Sequence, residues 1–152
     1  MDWRVLGRGE GMWRRGAKAR LITGISIIGT LIWCSAATAQ ELPDVRSSHD
    51  GVYTTEQAEG GAELFQATCS NCHNGSYPLH GTDFLRLWAG QPLWRLYEYL
   101  FWNMPYGAAG SLTSEQYLAL TAYILEMNGY PAGDEPLPDD QLGLAFINLD
   151  PH

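Results

Sequence analysis

GAELFQATCSNCH occupies residues 61–73, and its last five letters, CSNCH at 69–73, decide how the rest of the chain is read. Two cysteines separated by two residues serve three chemistries: a dithiol redox site, half of a metal cage, or a pair of covalent handles. A zinc cage needs four ligands. Apart from Cys69, Cys72 and His73, the chain beyond residue 39 offers only His49, His80 and His152, none at zinc-finger spacing. A thioredoxin-like dithiol follows a strand in an α/β unit, whereas the residues before Cys69 read as a helix. A disulfide between the two would close too short a loop to staple a domain. The fifth letter separates the options, because C-x-x-C-H marks attachment of a c-type haem. Thiols at this spacing reach two vinyl groups on one porphyrin edge as thioethers, and the adjacent histidine is held near one axial position of the iron. One covalent haem c is the expected cofactor.

The N-terminal third agrees with that chemistry. MWRRGAKAR (12–20) carries four of the nine basic residues, residues 21–37 are uncharged and largely apolar, and Ala37-Thr38-Ala39 precedes Gln40. A basic region, an apolar core and an A-x-A site in this order describe a secretory signal peptide over 1–39, with Met12 as an alternative start. Export would place the protein in the periplasm, where c-type haem is fixed, with no stable membrane insertion after cleavage. The alternative is an uncleaved anchor, since no charge interrupts the run from Arg20 to Glu41. Cys34 would leave with the signal, and Trp33 before it is not the small residue a lipoprotein signal wants. Beyond residue 39 the chain keeps three arginines (Arg46, Arg86, Arg95), no lysine and 15 carboxylates, a formal −12 against −8 for the whole. Such a surface repels nucleic acid and anionic membranes and favours a basic face on a partner.

Working outward, residues 40–53 read as a flexible arm. Thr54, with Gln57 three residues on, offers a capping box for a helix over about 54–67. Gly60 and Gly61 each weaken that helix by about 1 kcal/mol relative to alanine, which makes sense if something packs closely there. Shorter helices are expected over 83–89 and 92–102, the second opening on Pro92 in its first turn. The clearest helix is 114–128, capped by Thr113 or Ser114 and closed by Gly129. Residues 131–152 read as an extension with one apolar patch, Leu142–Ile147. No stretch alternates long enough to argue for a sheet, so the fold class is all-α.

The iron needs a second axial ligand opposite His73. Met127 sits in the last turn of a helix, where a gap-filling role is the simpler account; His49 and His152 belong to termini, and His80 lies in a Pro/Gly loop close to the motif. Met104 precedes Pro105 on a segment that cannot continue a helix, and 31 residues separate it from His73, ample to pass around a haem. The site is therefore Cys69 and Cys72 as covalent handles, with His73 and Met104 on the iron. Trp88, Trp94, Tyr97, Trp102 and Tyr106 form the pool of pocket-lining aromatics, and Arg86 or Arg95 is a candidate partner for a haem propionate.

In GAELFQATCSNCH (61–73), NMPYG (103–107) and EQYLALTAYIL (115–125) the chain resembles the class I monohaem cytochrome c family over about 54–130. The likeness is greatest to small cytochromes that serve periplasmic dehydrogenases, quinoprotein or sulfur-compound oxidising. The resemblance implies that the first and last helices cross beside the haem, with Gly61 and Phe65 against the Leu120–Tyr123 region, and that the arms extend on either side. It also implies a non-enzymatic, single-electron carrier that takes electrons from a periplasmic dehydrogenase and passes them to a terminal oxidase or another cytochrome. The alternatives are a permanent cytochrome subunit of such a dehydrogenase, with Leu142–Ile147 as one contact, and a peroxidase-like enzyme with an open iron.

Overall fold

The computed structural model describes residues 42–75 and 79–152, so the expected signal peptide, Cys34 and the alternative anchor lie outside the described residues. The fold is predominantly helical, with five helices and one minimal strand pair among those residues. No helix there is long and apolar enough to cross a membrane.

The first helix, α1 (Thr55–Thr68), starts where the cap residue dictates, with the Thr54 hydroxyl accepting from the Gln57 amide at 3.2 Å. The second half of the expected capping box is absent. Gln57 Oε1 accepts instead from the Leu137 amide, 2.9 Å away and 80 residues on, so a tertiary donor displaces the local one. The reciprocal box does form on α4 (Ser114–Met127), between Thr113 and Gln116. α4 is buried on most of its circumference, which explains its all-round apolar sequence. It closes on Gly129 at φ +80, with Tyr130 N–H donating to Leu125 O and Gly129 N–H to Glu126 O, the paired bonds of a Schellman motif.

α1 lies directly on α4. A Cβ on Gly61 would overlap the Ala119 carbonyl and stand 2.8 Å from Tyr123 Cβ, and the Phe65 and Tyr123 rings meet at 5.3 Å. The close approach expected at Gly61 is thus present. Gly60, one residue earlier, faces open space.

α2 (Thr82–Trp88) and α3 (Leu93–Asn103) follow, with Pro92 at the N-cap of α3 rather than in its first turn. α3 packs against α4, where the Tyr97 and Tyr117 rings meet at 6.3 Å, and Leu93, Leu96, Tyr97 and Leu100 are buried.

Both arms differ from their reading as loose extensions. β1 (Arg46–Ser47) pairs in parallel with β2 (Ile147–Asn148), preceded by a short helix, α5 (Gln141–Ala145). Val52 and Tyr53 are buried, and Tyr53 donates to Tyr130 O at 2.6 Å. Gly133 takes its amide to Tyr53 O at 2.7 Å, at a point where Gly51 and Gly133 touch backbone to backbone. Leu149 exchanges bonds with the start of α3, its N–H donating to Gln91 O and its carbonyl accepting from Gly90 N–H. His49 and His152, assigned to unanchored termini, form a ring cluster with Tyr130. Leu144 and Ile147 of the Leu142–Ile147 patch are buried in the chain's own core, and Leu142 is half-exposed. The pieces are stabilised by burial and by bonds to distant backbone, neither of which a two-residue strand reveals in its own letters.

Candidate cofactor site

At the end of α1 the chain makes one further helical turn. Cys69 N–H bonds Phe65 O at 2.8 Å, then Cys72 N–H and His73 N–H both bond Cys69 O, at 3.1 and 3.0 Å. Residues three and four apart in such a turn share a face, so the spacing of the motif puts both sulfurs and the imidazole on one side. Cys69 is half-buried and Cys72 exposed, and no disulfide joins them. Burial pushes the Cys69 thiol up from its ordinary range, and Cys72 beside it adds to the effect. The His73 ring lies 6.3 Å from that of Phe65.

Met104 comes from a different element, the end of α3. It is the C-cap of α3, its N–H bonded to Leu100 O at 2.9 Å, with extended backbone at φ −127 and ψ 149, as a residue before proline prefers. Its carbonyl accepts from the Tyr117 hydroxyl of α4 at 2.8 Å.

Cys69, Cys72, His73 and Met104 all line one cavity of about 1010 Å³. That is the upper end of the roughly 300–1,000 Å³ usual for ligand pockets. Its walls are apolar: Leu96 and Leu100 from α3, Leu120 and Ile124 from α4, and Phe84 and Leu87 from α2. Pro105, Tyr106 and Leu112 close the side carrying Met104. Among the described residues no three His, Cys, Asp or Glu side chains gather into a set that could hold a bare metal ion. Two thiols beside an imidazole, with a thioether contributed to the same roomy apolar chamber, fit a flat, tethered macrocycle.

Of the aromatic pool, Trp88 and Tyr106 line this cavity. Trp94 and Tyr97 do not; they stack on each other at 5.4 Å. Trp102 is exposed and borders a separate small recess with Trp88 and Tyr99. His80 and Met127 are not on the wall. Arg86 and Arg95 also stand off it: each is held by a carboxylate three residues away on its own helix, Asp83 at 3.3 Å and Glu98 at 2.9 Å. Asp83, to which Arg86 is bonded, is the charged side chain that α2 brings to the cavity. Phe84, Tyr99, Leu96, Leu100 and Ile124 were not singled out as wall residues from sequence, and Phe65 and Leu120 were expected only at the contact between the first and last helices. The i, i+4 spacing of Leu96 with Leu100 and of Leu120 with Ile124 is the signal that points to them.

Compared with family models, with curated proteins and with solved structures, the chain matches none. The site has to be understood from its own residues.

Proposed function

We propose that this chain is a periplasmic one-electron carrier holding a single covalent haem c. The observation that carries the reading is the convergence of Cys69, Cys72, His73 and Met104, from segments 31 residues apart, on one apolar cavity. Cys69 and Cys72 would tether the porphyrin edge, while His73 and the Met104 thioether would hold its iron. The finer fold, that of class I cytochromes c, is supported by the seating of α1 on α4 at Gly61. Bound there, haem supplies one reversible Fe(III)/Fe(II) couple.

The protein's part is to hold and to exclude. The aliphatic wall gives the site apolar surroundings, and the polarity around the iron is one lever on the potential. A thioether donor favours the reduced metal more than a second imidazole would. If Met104 holds the iron, no position would be left on it for substrate, so the Met104 thioether is what separates this reading from the peroxidase-like alternative. The permanent-subunit alternative loses its expected contact, since Leu144 and Ile147 are turned into the chain's own core. The donor would be a periplasmic dehydrogenase and the acceptor a terminal oxidase or another cytochrome. An acidic carrier meets either through a basic face, by an attraction that weakens as salt rises.

The test is expression with export and haem-ligation machinery. The expected product gains the mass of one haem, shows a Soret band, and when oxidised shows the long-wavelength sulfur-to-iron charge-transfer band, which Met104→Ala abolishes. An unmodified mass with no Soret band would refute the proposal.

A further inference from the structure

Tyr117 is fully buried, yet both faces of its hydroxyl are used. It donates to Met104 O at 2.8 Å and accepts from Gly110 N–H at 3.0 Å. Met104 and Gly110 are the two ends of the segment that contributes Met104, Pro105 and Tyr106 to the cavity wall. Within it, Ala108 N–H returns to Pro105 O at 2.8 Å and Ser111 N–H to Ala108 O at 3.2 Å. These bonds shape the turns internally, while the hydroxyl links both ends to α4. The ring that carries the hydroxyl cannot drift, because Phe101 packs on it at 5.3 Å and Tyr97 at 6.3 Å. Its own helix is fixed at that point by Thr113 O, which accepts the Tyr117 N–H.

A thioether is a weak donor, so its residence on iron depends on how narrowly the backbone carrying it is confined. We propose that Tyr117 is the positioning residue for Met104: its hydroxyl clamps both ends of the 104–110 segment to α4 and thereby holds the thioether at the site. This rests on the function proposed above.

The probe is imidazole, which competes with Met104 for ferric iron and is followed by loss of the sulfur-to-iron band. Tyr117→Phe keeps the ring and removes the clamp. It should lower the imidazole concentration needed by about 5- to 150-fold, the range for leaving buried hydrogen-bonding groups unpaired. Tyr53→Phe is the control, since it also removes a buried hydroxyl from a backbone carbonyl, at 2.6 Å, but the carbonyl is that of Tyr130. It should leave the imidazole titration unchanged. An unchanged titration in Tyr117→Phe, or the same shift in both variants, overturns the proposal.

A second measurement needs no variant. The Gly110 amide should be protected from exchange in the unaltered oxidised holoprotein, and several-fold less so once imidazole has replaced Met104. Equal exchange in the two states overturns the proposal even if Tyr117→Phe does not fold. A haem-bearing protein that never shows the sulfur band fails earlier: it refutes Met104 ligation itself, and the positioning role with it.

Discussion

Gly60 and Gly61 are indistinguishable by helix propensity, yet alanine should act on them in opposite directions. At Gly60 a methyl group meets nothing within 4 Å. The substitution only removes backbone freedom from the unfolded chain and should stabilise by about 0.5–1 kcal/mol. At Gly61 the same gain is available, but the new Cβ would overlap the Ala119 carbonyl. A backbone carbonyl cannot rotate aside as a side chain can, so α1 must lift from α4. Overpacking of this kind costs about 1–3 kcal/mol. The upper end applies here, because lifting α1 also loosens the contact between Phe65 and Tyr123. Subtracting the propensity gain leaves a net loss of about 2 kcal/mol and a gap of about 3 kcal/mol between the variants. Urea unfolding reads it directly: at about 1–3 kcal/mol per molar the midpoints should differ by roughly 1–3 M. Because α1 runs into Cys69, Gly61→Ala should also reduce the fraction of chains that acquire haem. If Gly61→Ala is as stable as Gly60→Ala, the helices do not meet there and the packing argument fails.

Two further outcomes follow from the bonds around the core. Asn128 closes the loop after the CSNCH turn onto the end of α4, donating to Leu79 O at 2.9 Å and accepting from Gly81 N–H at 3.0 Å. Asn128→Ala should cost about 1–2 kcal/mol and speed exchange at the Gly81 amide; unaltered exchange there would disprove the tie. Burial, with Glu126 adding, pushes the Tyr53 hydroxyl from 10.0 to about 12. The folded chain then holds a proton that the unfolded chain releases, so this contribution is complete below pH 10 and lost as the pH rises toward 12. Urea midpoints measured across that window should fall less steeply in Tyr53→Phe than in the unaltered protein, and equal slopes would count against the assignment.

What could be read from the letters was local. The Thr54 and Thr113 hydroxyls and the glycine closing α4 act within four residues of themselves, and the helices begin and end where they direct. The CSNCH spacing is equally local, because one helical turn suffices to put its three side chains on one face. Gln57 shows where such reading stops. Its carboxamide had a capping position to fill, but Leu137 supplied a better-placed donor from 80 residues away. The two arginines of α2 and α3 are paired locally in the same way, each with a carboxylate one turn away. Trp102 and Trp94 were plausible wall residues by composition alone. Which face of α3 turns inward is decided by what it packs against, and Leu96 with Leu100 won that face.

The C-terminal extension gains a role from the same geometry. Its residue Leu149 is bonded in both directions to Gly90 and Gln91, immediately before α3, while Leu144 and Ile147 are buried in the core and α5 and β2 pack against α3. α3 has 11 residues, so it carries that anchorage about 16 Å, at 1.5 Å per residue, to its other end. That end is Met104, which Tyr117 holds from α4. The residue proposed as the second ligand is thus fixed from two sides, along α3 by the tail and across from α4 by a hydroxyl. His73 depends instead on α1 and its contact at Gly61. The two walls of the cavity both rest on α4, and the parts of the chain that carry them are joined again where the Leu137 amide of the tail donates to Gln57 of α1. A change on α4 therefore reaches both proposed ligands, and a change in the tail reaches Met104 along α3 and the CSNCH turn through Gln57 of α1.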